Sequence, residues 1–257
     1  MIAFTACECE RIYDQTRIIC IMNLFETNIR NYWNYYLELE YEFIQTKRFV
    51  DFSSKNYATF SIEFLKLFQS ICSEIDVVGK YLASIINKNF IRKDCKSIMQ
   101  WWNAIQDELK INLEPKHYFD PSKSLSNIKT IKVVNNLMNE VYSPWAGFEV
   151  EVFKDSRNRT RIHAKEKCSI PKWWSDYNAV KHHRTEQLKL NETNYEKANL
   201  KNVCESIAGL YLLELAVIEL SASRKTDLER FINESQLFEK KEFTSYEDAL
   251  NILKGAK

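Results

Sequence analysis

A chain of 257 residues with only four Gly and four Pro has few places to turn sharply. β-Sandwiches and barrels need a turn signal about every 8–12 residues, and phosphate-cradling nucleotide loops are built from glycines. Both architectures are therefore disfavoured, and long helices remain the natural use of so few breakers. The length can bury a substantial core without disulfides or metals.

Charge narrows the partners. Lys and Arg number 36 against 35 Asp and Glu, so no global field gathers nucleic acid or anionic membrane, and any such site must be a local patch. Cys7, Cys9, Cys20, Cys72, Cys95, Cys168 and Cys204 are odd in number and scattered, with no C-x-x-C pair and no histidine at zinc-ligand spacing. They read as reduced thiols in a cytoplasmic protein, with no metal or cofactor implied. The opening MIAFTACECERIYD carries acidic groups where a secretory signal needs a basic start. The longest apolar run, Ile207 to Leu220, is interrupted by Glu214 and Glu219 and falls short of the roughly 20 residues of a membrane span. No membrane partner is expected.

Periodicity divides the chain. Residues 1–29 are weakly patterned, with Met22 a plausible alternative start to Met1. Tyr36, Leu39, Phe43 and Phe49 recur at helical spacing from about 30 to 49. Ser61 stands as an N-cap before a helix through about Ile86, whose stripe of Ile62, Leu65, Phe68, Cys72, Ile75, Leu82 and Ile86 is widened by Phe64, Ile71 and Val78. Asp94 or Ser97 caps a shorter helix over roughly 95–110 that includes Trp101 and Trp102. Pro115, Pro121 and Pro144 punctuate the middle, where a helix is expected around 125–142. Residues 147–166, GFEVEVFKDSRNRTRIHAKE, alternate apolar and polar about a DSRN turn and predict a β-hairpin. Pro171 suits a first helical position, and a long helix follows from about 195 to 222. The expected organisation is mainly α: a helical domain over 30–225 with the hairpin inserted, then surface helices over 226–257.

The helix that starts at Lys172 carries the most suggestive chemistry. At about 100° per residue, Trp174, Asn178, Lys181 and His182 fall within about a third of its circumference. An amide, an ammonium and an imidazole side by side suit a phosphate, and an imidazole titrates near neutral pH and so can transfer a proton. Arg184 lies beside Tyr177 on a neighbouring stripe and adds a planar cation. The plainer alternative is a helix anchored by Trp174 whose cations form a solvated face.

Glu74 and Asp76 interrupt an apolar helix and are candidates to orient His182 or to pair with Lys181 or Arg184; a simple Asp76–Lys80 pair one turn apart is the competing reading. Arg157 and His163 match an R-x(4–6)-H ribonuclease spacing, but in the hairpin rather than on a helix. There Arg157, Arg159, Arg161 and His163 would share a side, as a basic face for a nucleic-acid backbone or as a charged edge that discourages strand pairing. The six tryptophans suit core packing more than base stacking.

The segments YYLELEYEFIQTKRFV, TFSIEFLKLFQSICSEIDVVGK, PKWWSDYNAVKHHR and NYEKANLKNVCESIAGLYLLEL resemble a widespread set of bacterial proteins, and the implied fold is similar to the HEPN superfamily of helical bundles. The likeness spans roughly residues 30–220. HEPN proteins carry an Arg, then a polar residue, often Asn, with a His four positions after it. Asn178 and His182 fit that spacing, and Tyr177 stands where the Arg is expected. The resemblance implies a homodimer that cleaves RNA without a metal, in phage defence or as a toxin. It gives His182 the proton transfer, Lys181 or Arg184 the phosphate clamp in place of the missing Arg, and Asn178 the positioning, with Tyr177, Trp174, Glu74 and Asp76 around the substrate. RNA or nucleotide binding without cleavage, or a non-catalytic interaction protein with a degenerate site, are the alternatives.

Overall fold

The computed structural model describes residues 27, 29–111, 126–166, 168–189, 192–221 and 234–239. The first 26 residues, and with them the choice between Met1 and Met22, lie outside the described residues. Among the described residues five helices carry the core: α1 (29–45), α2 (Ile62–Ile86), α3 (Ile98–Ile105), α4 (Lys172–His183) and α5 (Leu200–Ser221). Short antiparallel strands connect them: β1 (Lys110–Ile111) with β2 (Ser126–Asn127), β3 (Val133–Asn135) with β4 (Glu140–Tyr142), β5 (Val150–Lys154) with β6 (Thr160–Ala164), and β7 (Gln187–Lys189) with β8 (Glu192–Thr193). A ninth strand, β9 (Phe238–Glu239), joins the free side of β3.

α2 starts where its sequence says it should. Ser61 Oγ accepts the Phe64 amide at 3.1 Å and so satisfies one of the helix's orphan donors. The Leu200 amide donates to the Thr59 carbonyl at 2.9 Å, so α2 and α5 begin side by side and run parallel. Both are apolar on most of their circumference, which is why they form the centre. α1 lies antiparallel against them, with the ring of Tyr32 near its start 4.9 Å from that of Tyr81 near the end of α2, tilted by 41°. Its buried face is Trp33, Tyr36, Leu39 and Phe43. Phe49, read as the last turn of that stripe, is 80% exposed because the helix ends at 45 and the chain passes into a 3-10 turn at Thr46–Arg48. Ile62, read as part of the α2 stripe, is exposed too, on the first turn of the helix.

Tryptophans fill the space beside α2. A Cβ on Gly79 would sit 2.7 Å from the Trp101 ring, so the glycine lets α3 lie directly on α2. From Phe148, rings run through Trp102 (5.0 Å), Trp145 (4.7 Å), Trp173 (5.2 Å) and Trp174 (5.8 Å) to Tyr177 (5.2 Å). Four of the buried indole N–H groups have an acceptor: Trp101 the Asp76 carboxylate, Trp102 the Phe148 carbonyl, Trp145 the Gly209 carbonyl and Trp173 the Pro144 carbonyl. These rings pack the core, and α3 covers only Ile98–Ile105 of the longer span expected.

Two expectations fail. Residues 126–142 hold strands and a 3-10 turn where a helix was expected. Asn139 adopts φ 52° in the turn that joins β3 to β4, and its partner strand β9 is about 100 residues away, so the pairing that overrides local preference is invisible to a local window. The described part of the tail is likewise no surface helix: Leu237 and Phe238 are buried, and Glu40 of α1 accepts the amides of Gln236 (2.9 Å) and Leu237 (3.1 Å). The rest of 226–257 lies outside the described residues. No described helix is long and apolar enough to cross a membrane.

Candidate nucleic-acid interface

α4 has two unlike halves. Pro171 forms its N-cap, and Trp173, Trp174, Asp176, Tyr177 and Val180 turn inward. Asp176, a residue the sequence reading passed over, is buried and accepts from Lys172 one turn earlier and from Asn202 Nδ2 of α5 at 3.0 Å, with Lys197 Nζ at 3.7 Å. That network pins α4 to α5. Only the Lys172–Asp176 spacing could have signalled it, because Lys197 and Asn202 are brought there by the fold.

At the other end, Lys181, His182, His183 and Arg184 are all exposed. The last helical carbonyls are taken up locally: His183 O accepts Asn194 Nδ2 at 2.9 Å and the Glu186 amide at 3.0 Å, and Arg184 O accepts the Tyr195 amide at 3.1 Å. Three basic side chains also lie in the last turn, where the negative end of the helix dipole favours them. Lys181 Nζ stands over the Tyr177 ring, 5.3 Å from its centroid, a weak cation–π contact that leaves the ammonium exposed. His183 Nδ1 meets Glu186 Oε1 at 2.7 Å, so this imidazole is committed. Among the described residues no carboxylate lies within ion-pair distance of Lys181, His182 or Arg184.

The four residues projected onto one face do share a stripe, but it crosses from core to solvent. Trp174 is 5% exposed, Asn178 is half-buried, and Lys181 and His182 are open. Tyr177, also 5% exposed, meets Phe68 edge-on at 6.0 Å, and burial pushes its hydroxyl up to about 12, with Cys72 and Asp76 adding to the shift. Trp174 and Tyr177 therefore use their faces for packing and present none to a ligand.

Glu74 and Asp76 do not reach His182. Asp76 Oδ2 takes Lys80 Nζ at 2.5 Å and Oδ1 takes the Trp101 indole at 3.1 Å, a structural role on α2. Glu74 is half-buried at the opposite side of α2, where desolvation raises its carboxyl. It lies near Glu214, which burial, and then Glu74 itself, push well above the ordinary carboxyl range. Among the described residues no three His, Cys, Asp or Glu side chains are grouped to hold a metal ion.

The hairpin of β5 and β6 is basic in sequence yet largely neutralised in place. Asp155 Oδ2 accepts Arg159 Nε (2.9 Å) and Arg161 Nε (3.2 Å), while Oδ1 takes the Arg157 and Arg159 amides. Those bonds, the Arg159 amide first, hold the Asp155 carboxyl below its usual range. His163 Nε2 meets Glu151 Oε1 at 3.1 Å. The chemistry on offer is thus concentrated at the end of α4: one ammonium, one guanidinium, one imidazole and the Asn178 amide. Compared with protein-family models, with curated proteins and with solved structures, the chain matches none.

Proposed function

We propose that the protein binds RNA or nucleotide phosphate at the C-terminal end of α4, with Lys181 and Arg184 as the phosphate cations, Asn178 as the positioning amide and His182 as the group placed for proton transfer. The observation that carries this reading is that, among the described residues, Lys181, His182 and Arg184 have no carboxylate partner, while neighbouring Lys172, Lys197 and His183 are each tied to one. Unpaired exposed cations cost little in water and remain available to a polyanion. The HEPN-like spacing of Asn178 and His182 extends the reading to metal-independent RNA cleavage by a paired protomer.

A second reading has its own support. Tyr177, in the position of the missing Arg, is a packed core residue, and among the described residues no carboxylate orients His182. Both favour binding without cleavage, in a helical interaction protein.

The test uses labelled single-stranded RNA with chelator present. The Lys181→Ala/Arg184→Ala double variant should weaken binding and lower the salt slope by about two, roughly one per lost phosphate contact. If RNA is cut, His182→Ala should abolish cutting while leaving the melting temperature unchanged. RNA affinity unaltered in the double variant would refute the assignment, and binding lost with no cleavage by wild type would select the second reading.

A further inference from the structure

The outer edge of β5 offers a different kind of site. In the hairpin, the pairs Phe153–Arg161 and Glu151–His163 lie between two flanking backbone bonds, Asp155 N to Arg159 O at 3.0 Å and Lys165 N to Glu149 O at 2.9 Å. Odd-numbered residues of β5 therefore spend their amides and carbonyls on β6, and by the alternation of an antiparallel ladder Val150, Val152 and Lys154 aim theirs outward. The protein itself demonstrates this at Val150. Gln106 Nε2 donates to Val150 O at 2.9 Å, and Val150 N donates to Gln106 Oε1 at 3.0 Å, so a buried side-chain amide mimics one residue of a neighbouring strand.

Past Val150 the mimicry stops. Among the described residues no strand, side chain or loop pairs with the outward groups of Val152 and Lys154. Val152 is 53% exposed and Phe153 41%. An open edge of this kind is a template for another strand, and this one lacks a proline or a bulge to block it. We infer that β5 accepts an extended peptide segment from a partner, which continues the ladder that Gln106 begins and adds a third strand at Val152 and Lys154.

The charges define the partner. Val152 and Lys154 are two residues apart and so share one face of the strand. Asp155 occupies Arg159 and Arg161, and Glu151 occupies His163, whereas Lys154 and the turn residue Arg157 have no carboxylate within ion-pair distance among the described residues. The fitting segment carries an apolar side chain opposite Val152 and an acidic one opposite Lys154. A second copy of this chain fits poorly. Antiparallel pairing of two β5 strands through Val152 and Lys154 sets Glu151 against Asp155 of the other copy at both ends, and the register that avoids this needs Val150, already taken by Gln106. RNA is a weaker fit as well, because two of the hairpin arginines are already neutralised.

The test is a titration of the ¹⁵N-labelled protein with an acetylated, amidated peptide of threonines carrying one valine and one glutamate two residues apart, so that both face the same side of the strand, followed by amide shifts and hydrogen exchange. Saturable shifts centred on Val152 and Lys154, with exchange slowed at those two amides, are expected. The same peptide N-methylated at alternate amides should bind on the order of tenfold more weakly, since about two hydrogen bonds are lost. Lys154→Glu should also weaken binding, and Val152→Pro, which removes an outward N–H from an edge strand, should abolish it. The N-methylated peptide is read on the wild-type protein, so the outcome does not hang on the proline variant folding. Equal binding of the two peptides would overturn the inference. So would shifts located away from β5, concentration-dependent self-association that Val152→Pro removes, or a hairpin that ignores the peptide and binds an RNA oligomer through Arg157.

Discussion

The end of α4 and the β5–β6 hairpin look alike in sequence, each a short run of lysine, arginine and histidine, and the structure separates them by what their charges are tied to. On the hairpin, Asp155 holds two arginines and Glu151 holds His163. At the end of α4, His183 alone has a carboxylate among the described residues, and Lys181 leans on an aromatic ring instead. A count of basic residues would rank the hairpin as the better polyanion site, whereas the number of uncommitted cations ranks α4 first. The two regions are also anchored differently: α4 by buried rings and the Asp176 network, the hairpin by the Trp102 indole and the Gln106 amide.

The comparison can be broken at its anchors first. Trp173→Ala removes a ring packed between Trp145 and Trp174 and should cost about 3–5 kcal/mol, read as a loss of unfolding free energy in urea, with RNA binding lost only as the fold is lost. A variant that keeps its stability would mean α4 is not held by that packing. Gln106→Ala strands the buried amide and carbonyl of Val150 and should cost roughly 1–3 kcal/mol. Hydrogen exchange should then rise in β5 and β6 and stay unchanged in α4; uniform exchange throughout would show that the two regions are not independent.

The same question, what an unpaired charge costs, has the opposite answer in the core. Glu214 is 1% exposed, and its Oε1 has no hydrogen-bond partner. Its folded-state pKa is raised above the ordinary 4.5, chiefly by burial. The folded state thus binds the proton more tightly, so this contribution to stability is full below about 4.5 and is lost as the pH rises through the folded value. Glu214→Gln should match wild type in urea at pH 4 and exceed it at pH 8. Parallel pH curves for the two proteins would contradict the burial argument.

The smallest effect tests the ranking itself. Asp155→Ala releases Arg159 and Arg161 and should tighten hairpin binding of a polyanion by roughly two- to fivefold. Retention on heparin at low salt measures it, and an unchanged elution position would show that Asp155 was not what kept the hairpin quiet.

Wherever pattern and fold agree, the reason is local. The Ser61 cap, the apolar repeat of α2 after Ile62 and the alternation either side of DSRN each act within a few residues and appear where the sequence places them, while Pro171, expected at the first helical position, sits one place earlier as the N-cap of α4. α4's stripe was legible as a stripe; its descent from solvent into the core was not, because burial depends on where α2 and α5 end beside it. Helix was the wrong expectation for 126–142, since β3 is stabilised by β9 from the far end of the chain.

Sequence by itself determined the mainly helical class of the protein and the basic end of α4, because breaker scarcity and 3.6-residue periodicity are properties of neighbouring residues. Tertiary structure alone decided which charges are spent. Asp176 finds Asn202, Glu40 finds the backbone at 236–237, and Gln106 finds Val150 only once elements distant in the chain are packed together. Whether a polar group is available to a ligand depends on desolvation and on the partner across the interface, and neither is encoded within a window of sequence.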